Sequence, residues 1–184
     1  MTGREPYVPG PAFGADVTKE GPRWTLALVR TYRHPIARVW EALTDPEHLR
    51  EWSPFDASGS LAKPGATVIL TTVGAPQPQV TPTTISRAEP PTLLEFEWGG
   101  HPIRWELEPM GEGTRLKLWT SIPKNYIAMG AAGWHICLDA MDRHLAGAPI
   151  GRMVGMDALK FEGWHRLNAE YAALFGVESV VPKW

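Results

Sequence analysis

The stretch HPIARVWEALTDPEHLREW, residues 34–52, predicts two short helices joined at a sharp corner. Its first apolar residues recur at i, i+3, i+4 and i+7, the spacing of an amphipathic helix. These are Ile36, Val39, Trp40 and Leu43. Pro35 suits the start of this helix because a missing N–H is tolerated there. Asp45 and Pro46 then end it and begin a second helix, as N-cap and first residue.

The segments on either side of this stretch have strand patterns. RWTLALVRTY (23–32) precedes it and is rich in β-branched and aromatic residues. Five strand-like segments follow it: ATVILTTV (66–73), QVTPTTISRAEP (79–90), TLLEFEW (92–98), PIRWELEP (102–109) and TRLKLWTSI (114–122). Apolar and charged residues alternate in the last three, which predicts an antiparallel sheet with one apolar and one charged face.

Turn residues refine this prediction. Gly99-Gly100 and Gly111-Glu112-Gly113 have the composition of hairpin connections. Pro82 lies inside a strand pattern, and because proline cannot donate a hydrogen bond we expect this segment at a sheet edge or with a bulge.

Helical periodicity returns after Pro123. An apolar stripe at i, i+4, i+7 and i+11 is formed by Trp134, Leu138, Met141 and Leu145. A last helix is predicted from about residue 157 to 175, with Gly176 as its C-cap. The order of elements predicts an α+β fold in which the C-terminal helices cover the apolar face of the sheet.

The chain of 184 residues fits one domain. We expect a flexible, Pro/Gly-rich arm over residues 1–22, the domain over 23–176 and a short tail over 177–184. The aromatic residues of the arm, Tyr7 and Phe13, could dock on the domain or on a second copy of the chain.

Composition limits the partners of the protein. With 18 basic and 20 acidic residues the net charge is -2, and without a basic cluster a nucleic-acid partner is not expected. The single cysteine, Cys137, cannot form an internal disulfide, which favours a cytoplasmic location. No apolar run reaches the roughly 20 residues that span a bilayer, and the N-terminus has no signal-peptide pattern.

Four segments in this order resemble a known family. They are HPIARVWEALTDPEHLREW (34–52), PPTLLEFEW (90–98), GEGTRLKLW (111–119) and GWHICLDAM (133–141). Together they are similar to the bacterial proteins related to the activator of Hsp90 ATPase, in the START-like (SRPBCC) superfamily. The resemblance covers roughly residues 24–176. It implies a helix-grip fold, a curved antiparallel sheet of about six strands wrapped around a long C-terminal helix, with a deep apolar cavity. GAPIGRMVG (147–155) interrupts that helix, so we expect an irregular or mobile lid.

The stretch GWHICLDAMDRHL (133–145) invites a reading as a chemical site. His135, Asp139 and Asp142 lie at i, i+4 and i+7, on one face of a helix and beside its apolar stripe. Three such residues lack the helical pairings typical of metal sites, so no metal is predicted. They are interpreted as solvated or structural groups, or as polar groups that reach a ligand at the cavity rim.

The candidate pocket is apolar, with few polar anchors. Strand residues that share the inner face and helix residues opposite them form its predicted wall, with Phe55 at the mouth. The full set is Phe55, Trp98, Trp105, Leu107, Leu118, Trp134, His135, Leu138, Asp139 and Met141.

These residues lead to a hypothesis of a cofactor-free protein that binds a small hydrophobic or amphipathic molecule. Nucleophile elbows and nucleotide-binding loops are not found, so no catalytic residue is predicted. An aromatase/cyclase-like or hydrolase-like enzyme using the same cavity is a second hypothesis. A chaperone-interaction module, as the family name suggests, is a third, and a homodimer remains open.

Overall fold

The computed structural model describes residues 7–182, which form an antiparallel α+β fold. The strands are β1 (Ala15–Glu20), β2 (Arg23–Tyr32), β3 (Phe55–Ala57), β4 (Thr67–Thr72), β5 (Gln79–Thr84), β6 (Arg87–Glu89), β7 (Leu93–Trp98), β8 (His101–Met110) and β9 (Gly113–Pro123). The α-helices are α1 (Ile36–Thr44), α2 (Pro46–Trp52), α3 (Ile127–Leu145), α4 (Met156–Leu159) and α5 (Glu162–Phe175). A 3-10 turn, Lys124–Tyr126, precedes α3.

The strands form a six-stranded sheet in the order β1-β2-β9-β8-β7-β6 and a three-stranded sheet in the order β3-β4-β5. Every strand pair is antiparallel. The predicted fold, a sheet of about six strands covered by C-terminal helices with two short helices early in the chain, is therefore confirmed.

The alternation of β8 shows why the sheet has two different faces. Ile103, Trp105 and Leu107 are buried on the inner face. On the outer face Arg104 forms ion pairs with Glu95 (2.7 Å) and Glu106 (2.6 Å). Charged residues thus remain in water while their neighbours in the chain enter the core.

The predicted turns are confirmed. Gly99 and Gly100 both have positive φ (58° and 82°) and join Trp98 to its partner His101, as a two-residue hairpin requires. Pro82 lies in β5, an edge strand of the smaller sheet. An edge strand needs fewer backbone donors, which explains why proline is tolerated there.

The corner between α1 and α2 is built as predicted. The Asp45 side chain accepts a hydrogen bond from the backbone N–H of Glu47 (2.9 Å), and Pro46 is the first residue of α2. The Trp52 indole N–H donates to the Ala42 carbonyl (2.9 Å), which binds the two helices to each other.

The prediction of a flexible arm over residues 1–22 is wrong for residues 15–20, which form β1 and pair with β2. β1 has little apolar alternation, because only Ala15 and Val17 are half-buried against the core and the other residues are exposed. Its place in the sheet depends mainly on backbone pairing with β2, which a pattern of side chains does not reveal. Residues 1–6 of the predicted arm and residues 183–184 of the predicted tail lie outside the described residues.

α3 lies between the sheet and α5 and is buried on most of its circumference. The predicted interruption after it is observed: residues 146–155 are irregular and lead into α4, a single turn. Within residues 7–182, the chain contains no helix with both the length and the apolar character to cross a membrane.

Candidate functional site

An apolar cavity of about 240 Å³ lies beside the first half of α3. The end of β9, the β7–β8 hairpin, the irregular segment with α4, and Trp164 of α5 form its other walls. Trp98 and Met129 at its margin are half-buried, so the cavity opens to solvent there. None of the described residues that line it is Asp, Glu, Lys or Arg. The site is therefore suited to an uncharged ligand.

Two glycines of α3 form the helical side of the cavity, and they differ in the space around them. A Cβ atom added at Gly130 would lie 2.4 Å from Cδ1 of Ile122, whereas one added at Gly133 would meet nothing within 4 Å. Glycine inside a helix costs about 1 kcal/mol relative to alanine. Gly133 therefore leaves open space at a position where an alanine would fit and would favour the helix.

Indole rings form the aromatic wall. The ring centroids of Trp98 and Trp134 are 6.0 Å apart at an interplanar angle of 83°. Trp105 lies behind them, 5.6 Å from Trp134. The Trp98 indole N–H donates to the Thr72 hydroxyl (2.8 Å), which fixes the orientation of that ring. Edge-to-face contacts of this kind favour a defined arrangement of the wall.

The irregular segment after α3 covers the cavity with Met153, Val154 and Gly155. The Arg152 side chain holds one end of it through the Leu49 carbonyl (3.0 Å) and the Asp56 carboxylate (2.7 Å).

At the other end of this segment the Met156 N–H donates to the Gly74 carbonyl (2.9 Å). A Cβ atom at Gly155 would lie 2.3 Å from the Gly74 oxygen, so only glycine permits this close approach. The side-chain contacts of Arg152 at one end and the backbone contact with Gly74 at the other thus place the lid over the cavity.

The titratable groups among the lining residues are His101 and Cys137. Burial raises the pKa of the Cys137 thiol to about 12. The thiol is therefore protonated at neutral pH and behaves as a small apolar group rather than a nucleophile. His101 is exposed at the start of β8.

Only two of the ten residues predicted to form the pocket, Trp98 and Trp134, line this cavity. Six others are buried in the core around it: Phe55, Trp105, Leu107, Leu118, Leu138 and Met141. The apolar pattern marks which faces are buried, but the middle of the interface between the sheet and α3 is filled by side chains. The open space is at one end.

The sequence interpretation missed the two glycines of α3, the lid and Trp164. A glycine pair inside an otherwise apolar helix was the signal that could have found the helical wall.

His135 and Asp139 do not lie at the cavity rim as proposed; they face the N-terminal segment on another side of α3. His135 is buried, with Nδ1 2.7 Å from the Tyr171 hydroxyl and 3.3 Å from Nη2 of Arg30. Since a guanidinium can only donate, Nδ1 accepts, and the ring proton lies on Nε2, which faces Asp139 at 3.5 Å. Burial, with help from Arg30 and Arg166, lowers the pKa of His135 to about 3.

The N-terminal segment covers this polar cluster. The buried Tyr7 hydroxyl donates to Asp139 (2.6 Å), while burial raises the pKa of Asp139. The Phe13 ring lies 3.9 Å from the Arg30 guanidinium, whose Nη1 donates to the Phe13 carbonyl (3.0 Å). Both aromatic residues of the segment thus dock on the domain.

Asp142, the third residue of the predicted row, accepts from His34 Nε2 (2.8 Å). Each of the three residues therefore has a partner in a neighbouring element.

Comparison with known proteins places this fold among bacterial relatives. The family described as "Activator of Hsp90 ATPase homolog 1-like protein" matches residues 33–146. No curated protein matches the chain.

Solved structures share the fold at low identity. EF2215 from Enterococcus faecalis, a conserved protein of unknown function, is 17% identical, with a TM-score of 0.67 over 89% of this chain and 92% of that one. CalU16 from Micromonospora echinospora is 21% identical, with a TM-score of 0.62 and the same coverage of both chains. DynU16, from the dynemicin biosynthetic locus, is 24% identical over 71% of this chain and 50% of its own length, with a TM-score of 0.60.

Proposed function

The chain belongs to the family of activator of Hsp90 ATPase homolog 1-like proteins, and we propose that its function is to bind a small, uncharged, apolar molecule in the cavity beside α3. The cavity of about 240 Å³ is smaller than the roughly 300–1,000 Å³ typical of sites for drug-sized ligands. A molecule of two or three rings, partly exposed at the mouth, matches this size.

The observation that carries the proposal is the open space over Gly133. Alanine would fit at position 133 without steric cost and would favour the helix by about 1 kcal/mol, so packing alone does not explain a glycine there. This open space belongs to a cavity that is lined by the indole rings of Trp98, Trp134 and Trp164 and by no charged side chain among the described residues. Ligand burial against such a wall would contribute about 25 cal/mol for each Å² of apolar surface removed from water.

Binding is favoured over catalysis because the cavity offers little acid–base chemistry. Cys137 is held as a neutral thiol, and His101 lies at the exposed mouth without a hydrogen-bonded acidic partner among the described residues. The His135 and Asp139 pair, which an enzyme of the aromatase/cyclase or hydrolase type could use for proton transfer, faces away from the cavity.

The test is a titration with N-phenyl-1-naphthylamine, a neutral probe that fluoresces in apolar surroundings. We expect saturable binding to the unmodified chain and loss of binding in Gly133→Met, because the new side chain would occupy the open space. Gly59→Met is the matched control, since Gly59 also has nothing within 4 Å of an added Cβ and is not in the cavity wall. Equal probe binding by Gly133→Met and the unmodified chain would contradict the proposal, as would no saturable binding at all.

A further inference from the structure

We propose that Glu41, Asp45 and His48 form a binding site for a divalent transition metal ion of the zinc type, at the corner between α1 and α2. Each residue offers one ligand atom, and these atoms all lie within 4.8 Å of one another. His48 Nε2 and Glu41 Oε1 are 3.4 Å apart. Ligands about 2.0–2.2 Å from a tetrahedral zinc ion are separated by about 3.4 Å, so one ion fits between them with small adjustments.

The fold of the corner explains why the three groups converge. Glu41 and Asp45 are four residues apart at the end of α1, which puts their side chains on the same side. The Asp45 carboxylate is held by the Glu47 N–H through Oδ1, which leaves its other oxygen available. His48 follows in the first turn of α2. The cap that starts α2 thus also orients one ligand.

A second histidine orients the imidazole of His48. His48 Nδ1 lies 2.8 Å from Nε2 of His144, near the end of α3. Both atoms are ring nitrogens, so one donates and the other accepts, and donation by Nδ1 places the ring proton of His48 on the side away from Glu41 and Asp45. Donation from Nδ1 leaves the Nε2 lone pair of His48 directed towards Glu41. Histidine ligands of metals commonly have their second nitrogen held in this way.

The charges at the corner favour a cation. Within residues 7–182, neither Glu41 nor Asp45 forms an ion pair with a lysine or an arginine. Arg38, one turn away, donates instead to the Leu145 carbonyl (3.0 Å). On α2, Glu47 and Glu51 add two negative charges against the one positive charge of Arg50. Two carboxylates without a basic partner beside an imidazole nitrogen make a local site of negative potential.

The donor set indicates the class of ion. One imidazole nitrogen and two carboxylate oxygens suit Zn²⁺ and similar transition metals, whereas Mg²⁺ and Ca²⁺ prefer oxygen ligands alone. Glu41 is exposed and the other two are half-buried, so water can complete the coordination. Such an ion would hold the corner of α1 and α2, beside the end of α3, in place.

The test is calorimetric titration of the full chain, without an affinity tag and freed of metal by a chelator, with ZnCl₂ at neutral pH. We expect one Zn²⁺ per chain. Glu41→Gln and His48→Gln should each weaken binding by about tenfold or more, and His144→Gln should also weaken it because His144 positions the ring. Glu47→Gln removes the same charge from the same corner without removing a ligand, and it should change the affinity by less than about threefold.

Absence of Zn²⁺ binding to the unmodified chain would overturn the proposal. Equal weakening by Glu47→Gln and Glu41→Gln would also overturn it, because general electrostatic attraction would then account for the binding. A parallel circular-dichroism spectrum shows that each variant is folded.

Discussion

Individual residues of α3 have different roles although their local patterns are alike. Gly130 packs against Ile122, while Gly133 faces open space. His135, next in sequence to the cavity residue Trp134, faces away from the cavity and is buried with Tyr171 and Arg30 as hydrogen-bond partners. These differences come from what lies opposite each residue. They lead to two predictions about stability.

Gly133→Ala should raise the free energy of unfolding by about 0.5–1 kcal/mol, because alanine favours the helix and its methyl group enters empty space. Urea denaturation measures the change. Gly130→Ala is the matched control: its Cβ would lie 2.4 Å from the end of the Ile122 side chain, so packing strain should offset the same helical gain. A Gly133→Ala variant that is less stable than the original chain would show that the space is not open.

His135 should make the protein sensitive to acid. Its pKa is about 3 in the folded chain and about 6.5 when unfolded. The unfolded state therefore binds the additional proton first, and the stability that is fully present above about pH 6.5 is lost as the pH falls towards 3. The contribution to the slope approaches about 1.4 kcal/mol per pH unit.

Urea denaturation at several pH values between 4 and 7 should give a flatter profile for His135→Gln than for the unmodified chain. Identical slopes for the two proteins would mean that His135 is not held neutral by its surroundings. Because the pKa of Asp139 is raised, its protonation stabilises the folded state as the pH falls, which opposes the effect of His135. The contribution of His135 is therefore measured as the difference between the two proteins and not from the profile of one.

At the scale of elements, the irregular segment after α3 is as important to the cavity as the helix itself. It carries Met153 and Val154 over the cavity and is held at Gly74 by a close contact between backbones. The N-terminal segment has a comparable role on another side of α3, where Tyr7 and Phe13 cover polar groups. α3 is thus enclosed by the sheet, α5 and two segments without regular structure.

Gly155→Ala should displace the lid and weaken binding of the neutral probe. The new Cβ would lie 2.3 Å from the Gly74 oxygen, and φ is +58°. Gly147→Ala provides the control, since Gly147 also has positive φ (+78°) but no atom within 4 Å of an added Cβ. Both variants should lose about 1 kcal/mol from backbone strain. We expect only Gly155→Ala to lose more stability than this and to bind the probe less tightly. Equal stability and equal probe affinity in the two variants would mean that the contact with Gly74 does not contribute to ligand binding.

At the scale of the whole molecule, periodicity predicted the sheet, its two faces and the helical corner. Apolar residues recur at every second position in β7–β9 and at every third or fourth position in α1, which are the periods of a strand and a helix. The cavity could not be located in this way. Trp105 and Trp134 both read as inner-face residues, yet only Trp134 lines the open space. Where a gap remains between two buried faces depends on the sum of side-chain volumes across the chain. Contacts such as that between Tyr7 and Asp139, 132 residues apart, have no local signature.

The absence of charged residues from the described cavity wall predicts a preference for neutral ligands. N-phenyl-1-naphthylamine and its 8-sulfonate share one ring system and differ by a negative charge. The sulfonate should bind at least about tenfold more weakly, because a buried charge without a partner loses its hydration. Competition between the two probes measures the ratio. Tighter binding of the sulfonate would point to a cationic site elsewhere on the molecule.

The most direct test of the proposed cavity is the effect of the neutral probe on the indole N–H signals in ¹H–¹⁵N NMR spectra. Trp98, Trp134 and Trp164 line the cavity, whereas Trp119 does not. On saturation with N-phenyl-1-naphthylamine we predict shifts of the three cavity signals, an unchanged Trp119 signal and no shifts in Gly133→Met. Shifts of Trp119 without shifts of the cavity indoles, or unchanged signals throughout, would contradict ligand binding beside α3.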